Sequence, residues 1–525
     1  MDTRMSARFL SSSRRLARRW CLPLVLALWS GASRADVRLP ALFSHNMVLQ
    51  QELPVTVWGW ADDGEEVTVQ FRDQRVSTTA QNGRWRVKLQ PMKADGKAEV
   101  FIVRGKNTLL RRNVLLGEVW ICSGQSNMEW PLSRAFQPEG DIAGSANPRL
   151  RLFTVPKRRA VEPADDTQAD WKECGPDTVR DFSAVAYYFG RALNRTRNVP
   201  VGLIHTSWGG SPAEVWMSKT ALTLDPEYRR DIWETFPATE QQYRETLAQW
   251  EKEKAAAEAA GQKFERGRPW EPWRPAELYN GMIAPLIPYA ISGAIWYQGE
   301  SNAGRAWQYR RLFPDLILNW RRDWGQGDFP FLAVQLAPWD RNRNRTLEQI
   351  TAEPGESDWA ELREAQVHAT RTLPNVGVAV ITDVGDKDDI HPTRKAIVGE
   401  RLALLARVIA YAESFAGRSP MYQGVSFGGG KATVTFAHVG NGLVAKGEKL
   451  TGFAVTGADR KFVWADAQIS GKDRVVVSSA SVSEPVAVRY GWADYPVVNL
   501  FSQAGLPVSP FRTDDFPLTT GPKQP

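Results

Sequence analysis

Between residues 117 and 412 the chain repeats one pattern, a short and almost wholly apolar run followed by a stretch with helical spacing. The runs are Val119 to Cys122, Val201 to His205, Ala294 to Tyr297, Phe331 to Gln335 and Val376 to Ile381. Continuous apolar runs this short suit strands that are covered on both faces. Helical patterns lie between and after them, at Ala184 to Asn194, Tyr309 to Trp324, Trp359 to Thr372 and Ala396 to Ala412. Strands alternating with helices predict a parallel, doubly wound sheet and hence an α/β fold.

The flanks read differently. Residues 36 to 112 alternate in β-like runs (VTVWGW, EEVTVQF, RWRVKL, AEVFIVR) separated by turns such as Asp62-Asp63-Gly64 and Asn82-Gly83. After Gly417 the same grammar returns in ATVTFAHV, KFVWADAQI, DRVVVSS and VAVRYGW. Two all-β modules are therefore expected, a small sandwich at 36–112 and a second module at 416–525, around an α/β domain at 113–415. One excursion interrupts that domain near 236–276. Glu240 to Ala260 is an alanine- and charge-rich helix with Gly261 as its stop, and a Pro/Arg/Trp-rich stretch follows to Pro275. It reads as a surface decoration or as a cap beside the active site.

Net charge excludes one class of partner. The formal charge is +7, but residues 1 to 35 hold seven arginines and one acid, Asp2. Without them 59 basic residues face 58 acidic ones, so there is no electrostatic case for nucleic acid. Those 35 residues have the layout of a secretory signal peptide. Arginines up to Arg19 precede an apolar core from Leu22 to Trp29 and a small-residue site at Ser33-Arg34-Ala35, with cleavage expected after Ala35. Export to the periplasm or the medium is the expectation, and no later segment is long and apolar enough to span a bilayer. Cys122 and Cys174 remain. Two thiols make neither a disulfide scaffold nor a zinc site, and Cys122 is expected to be buried and inert. No metal or cofactor is expected, and oligomeric state has no signal in the sequence.

In open α/β sheets, ligands sit at the carboxyl ends of strands. The first strand ends in Ser123-Gly124-Gln125-Ser126-Asn127, which offers Ser126 as a nucleophile. A serine needs a base, a group to orient the base, and donors for the oxyanion. Of five histidines, His45, His205, His368 and His438 read as structural. His391 differs: it follows the last strand in ITDVGDKDDIHPTRK, crowded by Asp386, Asp388 and Asp389. A carboxylate there would hold its tautomer and stabilise the imidazolium. Two further strand-end loops share the rim, HTSWGGSPAEVW (with Gly209 and Gly210) and IWYQGESNAG. The Gly-x-Ser-x-Gly elbow of α/β-hydrolases is not met, because Asn127 and Met128 follow Ser126.

GQSNM at Gly124 to Met128, SWGG at Ser207 to Gly210, WYQGESN at Trp296 to Asn302 and DIHP at Asp389 to Pro392 resemble the sialate O-acetylesterase family. LFSHNMVLQ, LYNGM, AVRYGW and PFRTD extend the likeness over nearly the whole chain after the leader. The resemblance implies an SGNH hydrolase on a flavodoxin-like sheet that removes O-acetyl groups through a serine acetyl-enzyme. It implies Ser126 as nucleophile and His391 as base, with Asp388 preferred as the acid and Glu300 as its rival. The oxyanion would be held by the N–H groups of Ser126 and Gly209 with a side chain from the third loop, Gln298, or in its place Asn302. An acetylated glycan is the implied substrate, O-acetylated sialic acid first and acetylxylan or another polysaccharide as the alternative. A non-catalytic glycan-binding protein is the reading from another class.

Overall fold

The computed structural model describes residues 36–342 and 344–522; the expected signal peptide lies outside the described residues. Its spine is one long strand, β1 (Thr108–Gly124). Residues 108–113 alternate between exposed and half-buried, whereas every residue from Val114 to Gly124 is buried. The first half pairs antiparallel with Glu99–Arg104 of the N-terminal β region, and the second half runs into the central sheet. The expected boundary at 112/113 thus falls inside a strand.

The other strands of the central sheet are β2 (Asn147–Thr154), β3 (Lys172–Cys174), β4 (Val201–Ser207), β5 (Gly293–Tyr297), β6 (Phe331–Val334) and β7 (Val376–Ala379). Their order is β7-β6-β5-β1-β4-β2-β3. Neighbours from β7 to β2 are parallel, and β3 closes the edge antiparallel. All five strands expected from apolar runs are present. The sheet is wider than expected because β2 and β3 join it.

Five helices matter for the site: α1 (Ala184–Arg197), α2 (Phe236–Ala259), α3 (Ala306–Trp324), α4 (Asp358–Thr372) and α5 (Lys395–Ile409). Side chains alternate across a strand, so each strand feeds two cores. Val119, Ile121, Trp296 and Phe331 pack with Phe313 and Trp320 of α3 and Leu362 of α4. Trp120, Cys122, Ile295 and Leu332 pack with Val185 and Phe189 of α1 and with Val398 and Leu402 of α5. Gly399 lets α5 sit hard against α1, since a Cβ there would lie 2.6 Å from the Tyr188 Cβ. Helix α2 stands apart, with no buried residue.

The N-terminal region forms small antiparallel sheets, Val55–Trp60 with Arg84–Leu89, and Glu66–Phe71 between Gln74–Thr79 and Glu99–Arg104. The C-terminal region has two four-stranded sheets over a core that includes Val434, Val475, Val455 and Phe511. Both are stitched to the centre. Gln50 accepts from the Val119 N–H at 2.8 Å, and the buried Arg363 of α4 donates to the carbonyls of Ala493 and Asp494 at 2.6 and 2.8 Å. No helix among the described residues is long and apolar enough to cross a membrane.

Candidate active site

The carboxyl ends of β1, β4 and β5 deliver three loops to one rim, and the loop after β7 closes it. At the end of β1 the chain turns through Gly124 at φ +137°, where a Cβ would meet the Tyr297 carbonyl oxygen at 2.2 Å. Only glycine fits that approach. Gln125 then donates its N–H to the Tyr297 carbonyl at 2.9 Å, and Trp208 donates its N–H to the Gly124 carbonyl at 3.1 Å. A single helical turn, Ser126–Glu129, starts at the serine.

Ser126 Oγ lies 2.8 Å from His391 Nε2. The histidine is held by its own loop. Asp386 Oδ1 accepts the N–H groups of Asp388 and Asp389 at 2.9 and 3.3 Å, and Asp389 Oδ1 accepts the His391 N–H at 2.9 Å. The same Asp389 oxygen faces His391 Nδ1 at 3.4 Å. With that proton on Nδ1, Nε2 is left to accept the serine O–H. Trp130 stacks on the imidazole, with centroids 5.2 Å apart and planes at 20°. Burial, followed by the Lys395 charge, lowers the imidazole below its ordinary value, while Asp389 pulls it up. A lowered value keeps the ring neutral and able to take a proton at neutral pH.

The residues preferred from sequence as acid and as third oxyanion donor stand elsewhere. The Asp388 side chain pairs with Lys387, whereas it is Asp389 that faces His391 Nδ1. Glu300, the rival acid, accepts from Asn127 Nδ2 at 2.7 Å, and its second oxygen has no hydrogen-bond partner. Burial raises its carboxyl. Gln298 is fully buried and committed: its Nε2 donates to Asn302 Oδ1 and to the Ser211 carbonyl, and its Oε1 accepts from Tyr309. Asn302 is equally committed, donating to Glu214 at 2.9 Å. Gly209 approaches Ser126 closely, but its N–H donates to Glu129 Oε2 at 2.6 Å. Among the described residues the N–H groups of Ser126 and Gly210 have no acceptor.

Asn127, Lys395, Trp130 and Glu129 were missed at the sequence level. Asn127 joins three loops, donating to Glu300 and, at 3.0 Å, to the Ile390 carbonyl, and accepting from Lys395 Nζ. Lys395 is fully buried between the rings of Trp130 and Tyr297, 5.6 and 5.3 Å from their centroids. Burial pushes its ammonium down to about 7 against the pull of Glu300 and Asp389. The only advance signal was its place in the His391 stretch, where a lysine opening a helix reads as solvated. His205 is buried, pushed down to about 4 by burial, and bonded to Ser207. Cys122 and Cys174 are free and buried, and burial raises the Cys122 thiol. Among the described residues no group of three histidine, cysteine or acid side chains could hold a metal ion.

The family model described as carbohydrate esterase, sialic acid-specific acetylesterase, matches residues 257–407, which include Glu300 and His391. Sialate O-acetylesterase from Mus musculus is 30% identical over 515 residues, covering 90% of this chain and 92% of its own. The chain belongs to the sialate O-acetylesterase family. A second family member, from Homo sapiens, is 28% identical over 519 residues, 90% of this chain and 91% of its own. Among solved structures, a carbohydrate acetylesterase from Xanthomonas citri is 38% identical with a TM-score of 0.77, covering 92% of this chain and all of that one. For a sialate O-acetylesterase family member, a serine–histidine pair at the rim of a parallel sheet is the feature that calls for a chemical account.

Proposed function

We propose that the chain is an exported carbohydrate O-acetylesterase that works through a serine acetyl-enzyme on an SGNH-type, flavodoxin-like sheet. The observation that carries the reading is the 2.8 Å contact between Ser126 Oγ and His391 Nε2. His391 takes the Ser126 proton as Oγ attacks the acetyl carbonyl. The tetrahedral intermediate collapses with breakage of the bond to the sugar oxygen, which receives that proton from the imidazolium. Water, deprotonated by His391, then attacks the acetyl-enzyme, and acetate leaves as Ser126 regains its proton.

Asp389 is the acid favoured by geometry, at 3.4 Å from Nδ1. Such contacts are often loose without substrate and tighten in the complex. Ser126 N–H is the favoured oxyanion donor. Gly209 N–H can join only when Glu129 releases it, and Gly210 N–H is the free donor beside it. The relatives' names point to O-acetylated sialic acids as substrate, and a polysaccharide acetylester is the alternative. A sialate carboxylate needs a cation. Arg305 is engaged by Glu214 at 2.6 Å, whereas Arg134 lies 4.2 Å over the Trp130 ring with no acid partner among the described residues. Arg134 is therefore the better candidate.

Acetate release from an O-acetylated sialoside and from acetylxylan, measured side by side, tests the substrate reading. Sialoside preferred in kcat/KM supports it, and acetylxylan preferred replaces it with the alternative.

A further inference from the structure

The excursion that follows α2 reaches the nucleophile's rim. Trp273 donates its indole N–H to the Gly210 carbonyl at 2.9 Å. Its ring meets Trp208 edge to face, with centroids 5.4 Å apart and planes at 86°. Both rings are half-buried, so each keeps part of its surface in solvent. Trp208 adjoins Gly209, where a Cβ would stand 3.2 Å from the Ser126 Cβ. The two tryptophans therefore border the reacting serine.

The charges around this pair are already matched. Lys157, 5.4 Å from the Trp208 centroid, is bonded to Glu129. Arg159, 5.1 Å from the Trp273 centroid, pairs with Glu271 at 2.8 Å and with Glu277 at 2.7 Å. Both cations that face these rings are thus already paired with acids. The shelf offers aromatic surface and hydrogen-bonding groups, which suits the C–H face and hydroxyls of a neutral sugar. The segment is pinned before any ligand arrives, which reduces the ordering cost of binding. Trp270, three residues upstream and 76% exposed, has no role in the core.

We propose that Trp208 and Trp273 form a subsite for an uncharged glycan chain continuing from the acetylated sugar, with Trp270 extending it. The substrate is then an oligosaccharide or polymer rather than a free monosaccharide. This inference rests on the esterase reading above, and the experiment separates the two.

O-acetylated sialic acid, free and carried on neutral oligosaccharides of one to five sugars, and acetylated xylo- and manno-oligosaccharides of one to six sugars serve as probes, with p-nitrophenyl acetate as a small ester. For the wild type, kcat/KM is expected to rise about tenfold with chain length in at least one of the three series. Trp273→Ala and Trp208→Ala should flatten that rise, so that the ratio of long-chain to small-ester kcat/KM falls by a similar factor. Trp273→Phe keeps a ring and should retain part of it, and Trp270→Ala removes an exposed side chain without disturbing packing. Flat length dependence in the wild type in all three series, or full length dependence in Trp208→Ala and Trp273→Ala, overturns the subsite. Wild type inert on p-nitrophenyl acetate and on every oligosaccharide would instead overturn the esterase reading.

Discussion

Lys395 and Asp389 act on the His391 imidazole with opposite sign, and both come from its own loop and the helix after it. Burial first and the Lys395 charge second lower the imidazole, Asp389 raises it, and Arg134 lowers it from across Trp130. In the proposed mechanism the neutral ring is the base, so kcat/KM should persist as pH falls through about 6.5, the ordinary histidine value, and drop only below it. Lys395→Met removes one lowering influence, so the acid limb of the pH profile should move to higher pH; a limb that moves lower would be inconsistent with this. The acids separate by position. Asp389→Asn is expected to lower kcat by about 10²-fold or more. Asp388→Asn should be nearly silent, because that side chain pairs with Lys387 rather than with the imidazole. Glu300→Gln should fall between them, since it keeps an acceptor for Asn127. Steady-state kinetics of the three variants check this, and a larger loss in Asp388→Asn than in Asp389→Asn would reverse the assignment. Ser126 and His391 were legible from sequence because each follows a strand in a motif. Which carboxylate faces Nδ1 was not, because it depends on a turn in which Asp386 caps two amides, Asp388 pairs with Lys387 and Asp389 reaches the ring. No periodicity encodes that turn.

The elements were legible where burial is apolar. All five strands expected from apolar runs are present, and the helical patterns match within a few residues. Strand β2 was missed because its sequence, NPRLRLFT, looks like a polar surface segment. Its Arg151 is 1% exposed, yet the guanidinium donates to the carbonyls of Pro148, Asn46 and Asn113 and to the Asn113 side chain. A buried arginine satisfied by backbone oxygens breaks the expectation that charge marks the surface. The element that most directly sets the site is the β1 terminus. Gly124→Ala adds a Cβ against the Tyr297 carbonyl at a left-handed φ. Steric clash and backbone strain together should cost about 3 kcal/mol or more. Urea unfolding measures this, and a variant as stable as wild type would show that the turn tolerates a side chain.

Across the whole molecule, the N-terminal and central regions read from sequence share a strand and a core, while the C-terminal region has its own core and is hydrogen-bonded to the centre. Strand β1 belongs to both the N-terminal and the central sheets, and Arg363 ties α4 to the C-terminal region. That sharing was not legible, because residues 108–124 carry two patterns in succession, alternating and then continuously apolar. A change of pattern reads as a boundary even when the strand itself runs on. The consequence for function is a rim held from several directions: the β1 loop by Tyr297, the β4 loop by Trp273 and Glu129, and the histidine loop by Asn127 and Phe136, whose N–H donates to the Thr393 carbonyl at 2.9 Å. Sequence placed the serine and the histidine on that rim, while the excursion's contact with it is visible only in three dimensions. The most direct measurement is acetate release from an acetyl ester by wild type and Ser126→Ala at equal protein concentration. A loss of about 10³-fold or more in Ser126→Ala, with the fold intact, is expected, and equal rates would contradict serine catalysis at this site.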